Sequence, residues 1–226
     1  MKIAVLGTGM AGRTIAARLA GLGHEVTVGT RDVAATRART DPDAYGNPGY
    51  GAWAAEHPAI GLATFADAAA AAYLLVNATS GAVSLAALQA AGEDNLDGKI
   101  LIDVANPLDF SAGFPPTLFV KDTDSLGEQI QTAFPRLKVV KTLNTMTAPV
   151  MMDPKALGGG DHTVFLSGDD AEAKRVVTGL LESLGHTDAI DLGDISTARG
   201  TEMVLPLWLR LMRSLGTPTF NFKVVR

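Results

Sequence analysis

The chain of 226 residues contains no cysteine. Disulfides, zinc–thiolate centres, iron–sulfur clusters and thiol nucleophiles are therefore excluded. An excess of positive charge is also missing: 19 Lys and Arg stand against 24 Asp and Glu, a formal net charge of −5. A nucleic-acid binder would show a basic balance or stripe, and the nearest approach is the trio Arg31, Arg37 and Arg39. Long hydrophobic runs are lacking as well. The longest, Ala68 to Val76, is far short of the roughly 20 residues of a membrane-spanning helix. The opening run Ile3 to Leu6 ends at Gly7, which suits a first β-strand better than a signal peptide, so a soluble cytoplasmic protein is expected. The acid–base inventory is thin. The four histidines, His24, His57, His162 and His186, fall in expected loops or turns and read as surface residues. No Ser-His-Asp order, paired-carboxylate arrangement or His-rich metal spacing is visible. With 47% apolar and 19% charged residues, the chain is too hydrophobic for disorder.

What remains is an alternation of short apolar runs with amphipathic stretches. Ile3–Leu6, Val26–Val28, Ile60–Thr64, Tyr73–Asn77, Lys99–Val104 and Leu137–Leu143 read as strands, several apolar throughout as strands buried on both faces are. Met10–Leu22, Ala34–Thr40, Phe65–Ala72, Val83–Ala91 and Ser125–Phe134 read as the intervening helices. Gly23 suits the end of the first of them. This order predicts an α/β fold with a doubly wound parallel sheet. Asp41 to Pro58, rich in Gly and Pro and carrying Tyr45, Tyr50 and Trp53, reads as a long surface loop held down by its aromatics. Pro149, Pro154 and Gly158–Gly160 mark a break, so residues 1–150 and 151–226 are expected to form a larger and a smaller unit. The smaller should hold strands at Thr163–Leu166 and Ala189–Leu192 and a helix at Ala171–Leu184. A long helix over Ile195–Leu215, interrupted at Pro206, and a terminal strand over Phe220–Val225 should complete it. Leu205, Leu207, Trp208, Leu211 and Met212 suggest an interface, with the rest of the chain or with a second copy.

One motif carries chemistry. Gly7-Thr8-Gly9-Met10-Ala11-Gly12 follows an expected strand and opens an expected helix, the context in which G-x-G-x-x-G is a dinucleotide-binding fingerprint. Gly7 allows the tight turn, Gly9 lets a pyrophosphate reach backbone N–H groups, and Gly12 lets helix and strand pack closely. The helix N-terminus adds partial positive charge. The second strand ends Val28-Gly29-Thr30-Arg31-Asp32. A hydroxyl followed by a guanidinium suits the 2′-phosphate of NADP, while Asp32 is the feature that would suit the ribose of NAD. Three more loops fall at strand ends, where the ligand crevice of such a sheet lies. Small residues in Asn77-Ala78-Thr79-Ser80 leave room for the adenine-side ribose and pyrophosphate region of the cofactor. The Asp103-Val104-Ala105-Asn106-Pro107 loop presents polar groups. In Thr142-Leu143-Asn144-Thr145-Met146, Asn144 is suited to a nicotinamide amide and Met146 to a flat ring. The poverty in acid–base groups fits hydride exchange between two stacked rings, which needs alignment more than proton transfer.

These residues resemble the NADPH-dependent reductases of the deazaflavin coenzyme F420. The resemblance is carried by Gly21-Leu22-Gly23-His24-Glu25-Val26-Thr27-Val28-Gly29-Thr30-Arg31, by Ala198-Arg199-Gly200-Thr201-Glu202, by Leu205 to Arg213 and by Asn221-Phe222-Lys223. It implies a Rossmann domain with a small C-terminal α/β domain, a homo-oligomer, and hydride transfer between NADP(H) and coenzyme F420. By position it implies that Thr8, Gly9, Met10 and Ala11 bind pyrophosphate and that Thr30 and Arg31 bind the 2′-phosphate. Asn77, Ala78 and Ala105 would lie along the cofactor, with Thr79 beside them and Asn144 near the nicotinamide. Other acceptors (a flavin, ferric chelate, quinone or imine) are alternatives, as is a non-catalytic NADP(H) sensor.

Overall fold

A computed structural model describes residues 1–42 and 46–226. Tyr45, expected to help hold down the 41–58 segment, lies outside the described residues. Ten strands form among the described residues: β1 (Lys2–Leu6), β2 (Glu25–Thr30), β3 (Gly61–Thr64), β4 (Leu74–Asn77), β5 (Ile100–Asp103), β6 (Leu108–Asp109), β7 (Thr117–Leu118), β8 (Lys138–Thr142), β9 (Thr163–Ser167) and β10 (Asp188–Asp191). Eight of them make one sheet in the order β10-β9-β8-β5-β4-β1-β2-β3, and β6 and β7 pair separately. Every neighbour in the large sheet is parallel except β8 and β9. The expected doubly wound Rossmann sheet is thus present. The chain order reverses direction beside β1, which opens a crevice between the carboxyl ends of β1 and β4.

The helices are α1 (Met10–Gly21), α2 (Val33–Ala38), α3 (Tyr50–Glu56), α4 (Phe65–Ala71), α5 (Gly81–Ala91), α6 (Glu93–Leu96), α7 (Leu126–Ala133), α8 (Ala148–Met152), α9 (Ala171–Leu184), α10 (Ala198–Met203) and α11 (Leu205–Leu215). Their starts are chemically marked. Asp32, Thr64, Ser125 and Asp170 each accept a hydrogen bond from the N–H three residues on, opening α2, α4, α7 and α9. One sheet face buries Ile15, Leu19, Tyr50, Trp53 and the apolar side of α9. The other buries Phe65, Ala68, Leu88, Leu126 and Ile130. Alternate residues of the strands serve both layers, so the runs read as apolar throughout.

Three expectations are corrected. The 41–58 segment contains a helix, α3, whose Tyr50 and Trp53 are buried; the surrounding glycines and prolines mask that short periodic stretch. The long terminal helix is a short 3-10 turn at Ile195–Thr197 followed by α10 and α11, divided at Val204. Pro206, in the first turn of α11, cannot donate into a preceding turn. No strand forms over 220–225. Phe220 instead stacks on Trp208, with ring centroids 5.0 Å apart, and the segment is tied to Thr163 by isolated bonds, Thr163 N–H to the Phe222 carbonyl (2.8 Å) and Val224 N–H to the Thr163 hydroxyl (2.9 Å). Leu205, Trp208 and Leu209 are buried within the chain together with Leu118, while Leu207 is 53% exposed.

Candidate active site at the switch point

A cleft of about 450 Å³ lies over the carboxyl ends of β1, β2 and β4. Its floor is the turn from β1 into α1. Gly7 sits at φ +126°, where a Cβ would come 2.5 Å from the Ala78 carbonyl oxygen. At Gly12 a Cβ would stand 2.1 Å from the Gly7 carbonyl oxygen. Both positions exclude a side chain by contact with backbone. Gly9 differs: open space surrounds its missing Cβ, and no side chain caps the first turn of α1 that it precedes. That turn therefore offers N–H groups to an anion.

The rim is built by β2 and α2. Thr30 is buried and shares a 2.7 Å hydroxyl–hydroxyl hydrogen bond with Thr36. Arg31 is exposed beside it. The Asp32 carboxylate accepts from Ala35 N–H at 2.9 Å, so it serves the helix start. Arg39 donates to the Thr8 hydroxyl at 2.6 Å and crosses from the end of α2 to the glycine turn. Ala78, Thr79, Val83 and Ala87 complete the wall.

The sequence-derived candidates divide between the cleft and its support. Gly7, Thr8, Gly9, Thr30, Arg31, Ala78 and Thr79 line the cleft. Gly12 packs behind the turn. Met10 is 51% exposed and, with Arg13, Trp53 and Pro149, borders a separate cavity; Ala11 is half-buried. Asn77 is fully buried: its amide donates to Asp103 (2.8 Å) and Ser84 (3.0 Å), and its carbonyl oxygen accepts from the Thr79 hydroxyl (2.7 Å). Ala105 is buried in the same layer. Asn144 is buried and donates to Asn106 (3.0 Å) and to the Thr201 carbonyl (3.1 Å). Met146 is buried as well.

Two features were missed in the sequence. Lys141, fully buried in β8, lies 2.9 Å from Asp103 and 2.8 Å from Glu202. Burial pulls the Lys141 pKa down, yet the two carboxylates outweigh it and hold the value above that of an ordinary lysine. Linear spacing did not reveal this buried ion triad, although a lysine inside the apolar run Leu137–Leu143 was a signal. The second feature concerns histidine. His162 and His186 are buried, not on the surface, because their rings bond the Pro154 and Met151 carbonyls. Burial, aided by the His162 charge and opposed by the bond to Met151, lowers the His186 pKa. No cluster of metal-ligating side chains occurs among the described residues, and no described helix is long and apolar enough to cross a membrane.

A doubly wound sheet with a glycine turn at its switch point is the architecture of a dinucleotide-binding protein. Residues 2–107 match the family "NADP oxidoreductase coenzyme F420-dependent". A solved structure from Arthrobacter sp. FB24, provisionally named an F420-dependent NADP-reductase, is 64% identical, with all of both chains covered and a TM-score of 0.96. The F420-dependent NADP reductase of Methanothermobacter marburgensis is 29% identical over 93% of this chain and 92% of its own length. Rat metalloreductase STEAP3 is 29% identical over 96% of this chain, which spans only 38% of that protein. The chain belongs to the coenzyme F420-dependent NADP oxidoreductase family and is an NADP-dependent oxidoreductase.

Proposed function

We propose that this enzyme passes a hydride between NADP(H), held in the switch-point cleft, and the deazaflavin coenzyme F420. The observation that carries the reading is the pairing of two anion-ready places: the uncapped turn at Gly9 and the rim where Arg31 stands beside Thr30. Gly7, Thr8, Gly9, Met10, Ala11 and Gly12 wrap the pyrophosphate. Thr30 and Arg31 grip the 2′-phosphate, since a planar guanidinium matches a phosphate dianion. Asn77, Ala78, Thr79 and Ala105 lie along the cofactor path, with Asn144 near the nicotinamide. When bound, the reduced nicotinamide supplies two electrons and a proton as one hydride. The chain's own work is orientation and exclusion of water, since hydride transfer between two bound rings needs alignment more than proton transfer. Residues 151–226 act as a smaller unit on the acceptor side, and the exposed Leu207 on α11 contributes to a homo-oligomer.

A second reading comes from the STEAP3 match, which runs along 96% of the chain: electrons would pass to a flavin and then to ferric iron. Anaerobic stopped-flow oxidation of NADPH separates the two. The deazaflavin should be reduced in step with NADPH loss, at least about 100-fold faster than FMN with a ferric chelate. Turnover with flavin and ferric chelate but not with deazaflavin would replace the first reading by the second.

A further inference from the structure

Lys141 and its neighbours form a closed buried network that reaches from α10 to the cleft wall. Each proton of the Lys141 ammonium has an acceptor: Asp103 at 2.9 Å, Glu202 at 2.8 Å and the Ala105 carbonyl at 2.5 Å. The other Asp103 oxygen accepts from Ala105 N–H at 3.2 Å and from the Asn77 amide at 2.8 Å. Ala105 is thereby fixed through both its N–H and its carbonyl. Asn77 in turn accepts from the Thr79 hydroxyl, and Thr79 lines the cleft. At the far end, Glu202 accepts from Leu126 N–H (2.8 Å) and Gly127 N–H (3.1 Å), the opening residues of α7. The Asn77–Thr79 and Asp103–Ala105 loops therefore hang on one charge cluster, and α10 supplies its third member. Adjacent bonds repeat the tie: Arg199 on α10 pairs with Glu128 on α7, and Asn144 donates to the Thr201 carbonyl.

We infer that Glu202 is a positioning residue for the nicotinamide half of the cofactor. Through Lys141 and Asp103 it sets the place of the Ala105 backbone, which lies outside the lining of the cleft that Thr79 shares with Thr30 and Arg31, while the adenosine half rests on the Thr30–Arg31 rim. An apolar core could hold the same helix without charge; three ionised groups with every bond made instead fix one arrangement of two loops. The inference rests on the cofactor path proposed above.

The test compares two ligands by calorimetry on the full chain: NADPH, and 2′,5′-ADP, which carries only the adenosine half and the 2′-phosphate. The wild type should bind NADPH more tightly than 2′,5′-ADP by about tenfold or more. Glu202→Asp keeps the charge but shortens its reach. It should cut that margin at least about threefold and leave 2′,5′-ADP within about twofold of wild type. Glu202→Gln, which sets an amide against surrounding donors, should cut the margin further. Should that variant fail to fold, Glu202→Asp carries the comparison alone. An unchanged margin, or equal weakening of both ligands, would overturn the inference while leaving the cofactor path intact. A wild type with no margin would overturn the path, and the inference with it.

Discussion

Arg31 is exposed at the cleft rim, next in sequence to the buried Thr30, and its proposed target is the 2′-phosphate. Hydrogen bonds to charged groups contribute about 1.5–3 kcal/mol each. Arg31→Ala should therefore weaken NADPH binding about 10- to 100-fold and leave NADH binding nearly unchanged, as read by nicotinamide fluorescence titration. Equal losses for the two nucleotides would remove Arg31 from that role. Gly12 has a different sensitivity. A methyl group there meets the Gly7 carbonyl at 2.1 Å, and backbone cannot swing aside as a side chain can. Gly12→Ala should cost about 1–3 kcal/mol in denaturant unfolding and impair nucleotide binding by pushing α1 off β1. The glycine positions were legible because fingerprint spacing encodes backbone proximity. The Asp103–Lys141–Glu202 cluster was not, since its members are far apart in sequence and no local period links them.

At the scale of elements, capping explains one ambiguous residue. Asp32 could be read as a ligand for an NAD ribose, but its carboxylate accepts from Ala35 N–H and opens α2. Asp32→Ala should lower stability by about 1 kcal/mol, measured by urea unfolding, while NADPH binds no more weakly because a negative charge has left the rim. A selective loss of NADH affinity would instead mark Asp32 as a ribose ligand. Buried strands and the long amphipathic helices were visible in the sequence through their apolar runs and 3.6-residue period. Short elements were harder. The turn-rich composition around α3 hid seven helical residues, and the apolar run after Pro218 looked like a strand although Phe220 stacks on Trp208 of α11 and Phe222 meets Phe220 edge-on.

Across the whole molecule, two acid-sensitive windows follow from the titrating groups. The His186 pKa is lowered by burial from 6.5. The unfolded chain therefore binds that proton more readily, and stability should fall as pH drops from about 6.5 toward the lower folded value. Asp170 and Asp188 are held below 3.8, chiefly by hydrogen bonds from Ala173 N–H and the Thr163 hydroxyl. Their contribution is present above that pH and fades only as pH falls through their lower folded values. Urea midpoints between pH 7.5 and 5 should thus decline for wild type, and His186→Gln should flatten the decline; an equal slope in the variant would exclude His186 as its source. The sheet order also gathers the elements of the proposed cofactor site. The reversal beside β1 puts a glycine turn, a phosphate-ready rim and two network-held loops at the same edge.

The most direct measurement is a crystal structure of the protein with NADP⁺ bound. The expected arrangement has the pyrophosphate over Gly9, the 2′-phosphate between Thr30 and Arg31, and the nicotinamide extending past Thr79 toward Ala105 and Asn144. A nucleotide seated instead in the neighbouring cavity bordered by Met10, Arg13 and Trp53, or one whose 2′-phosphate points away from Arg31, would contradict it.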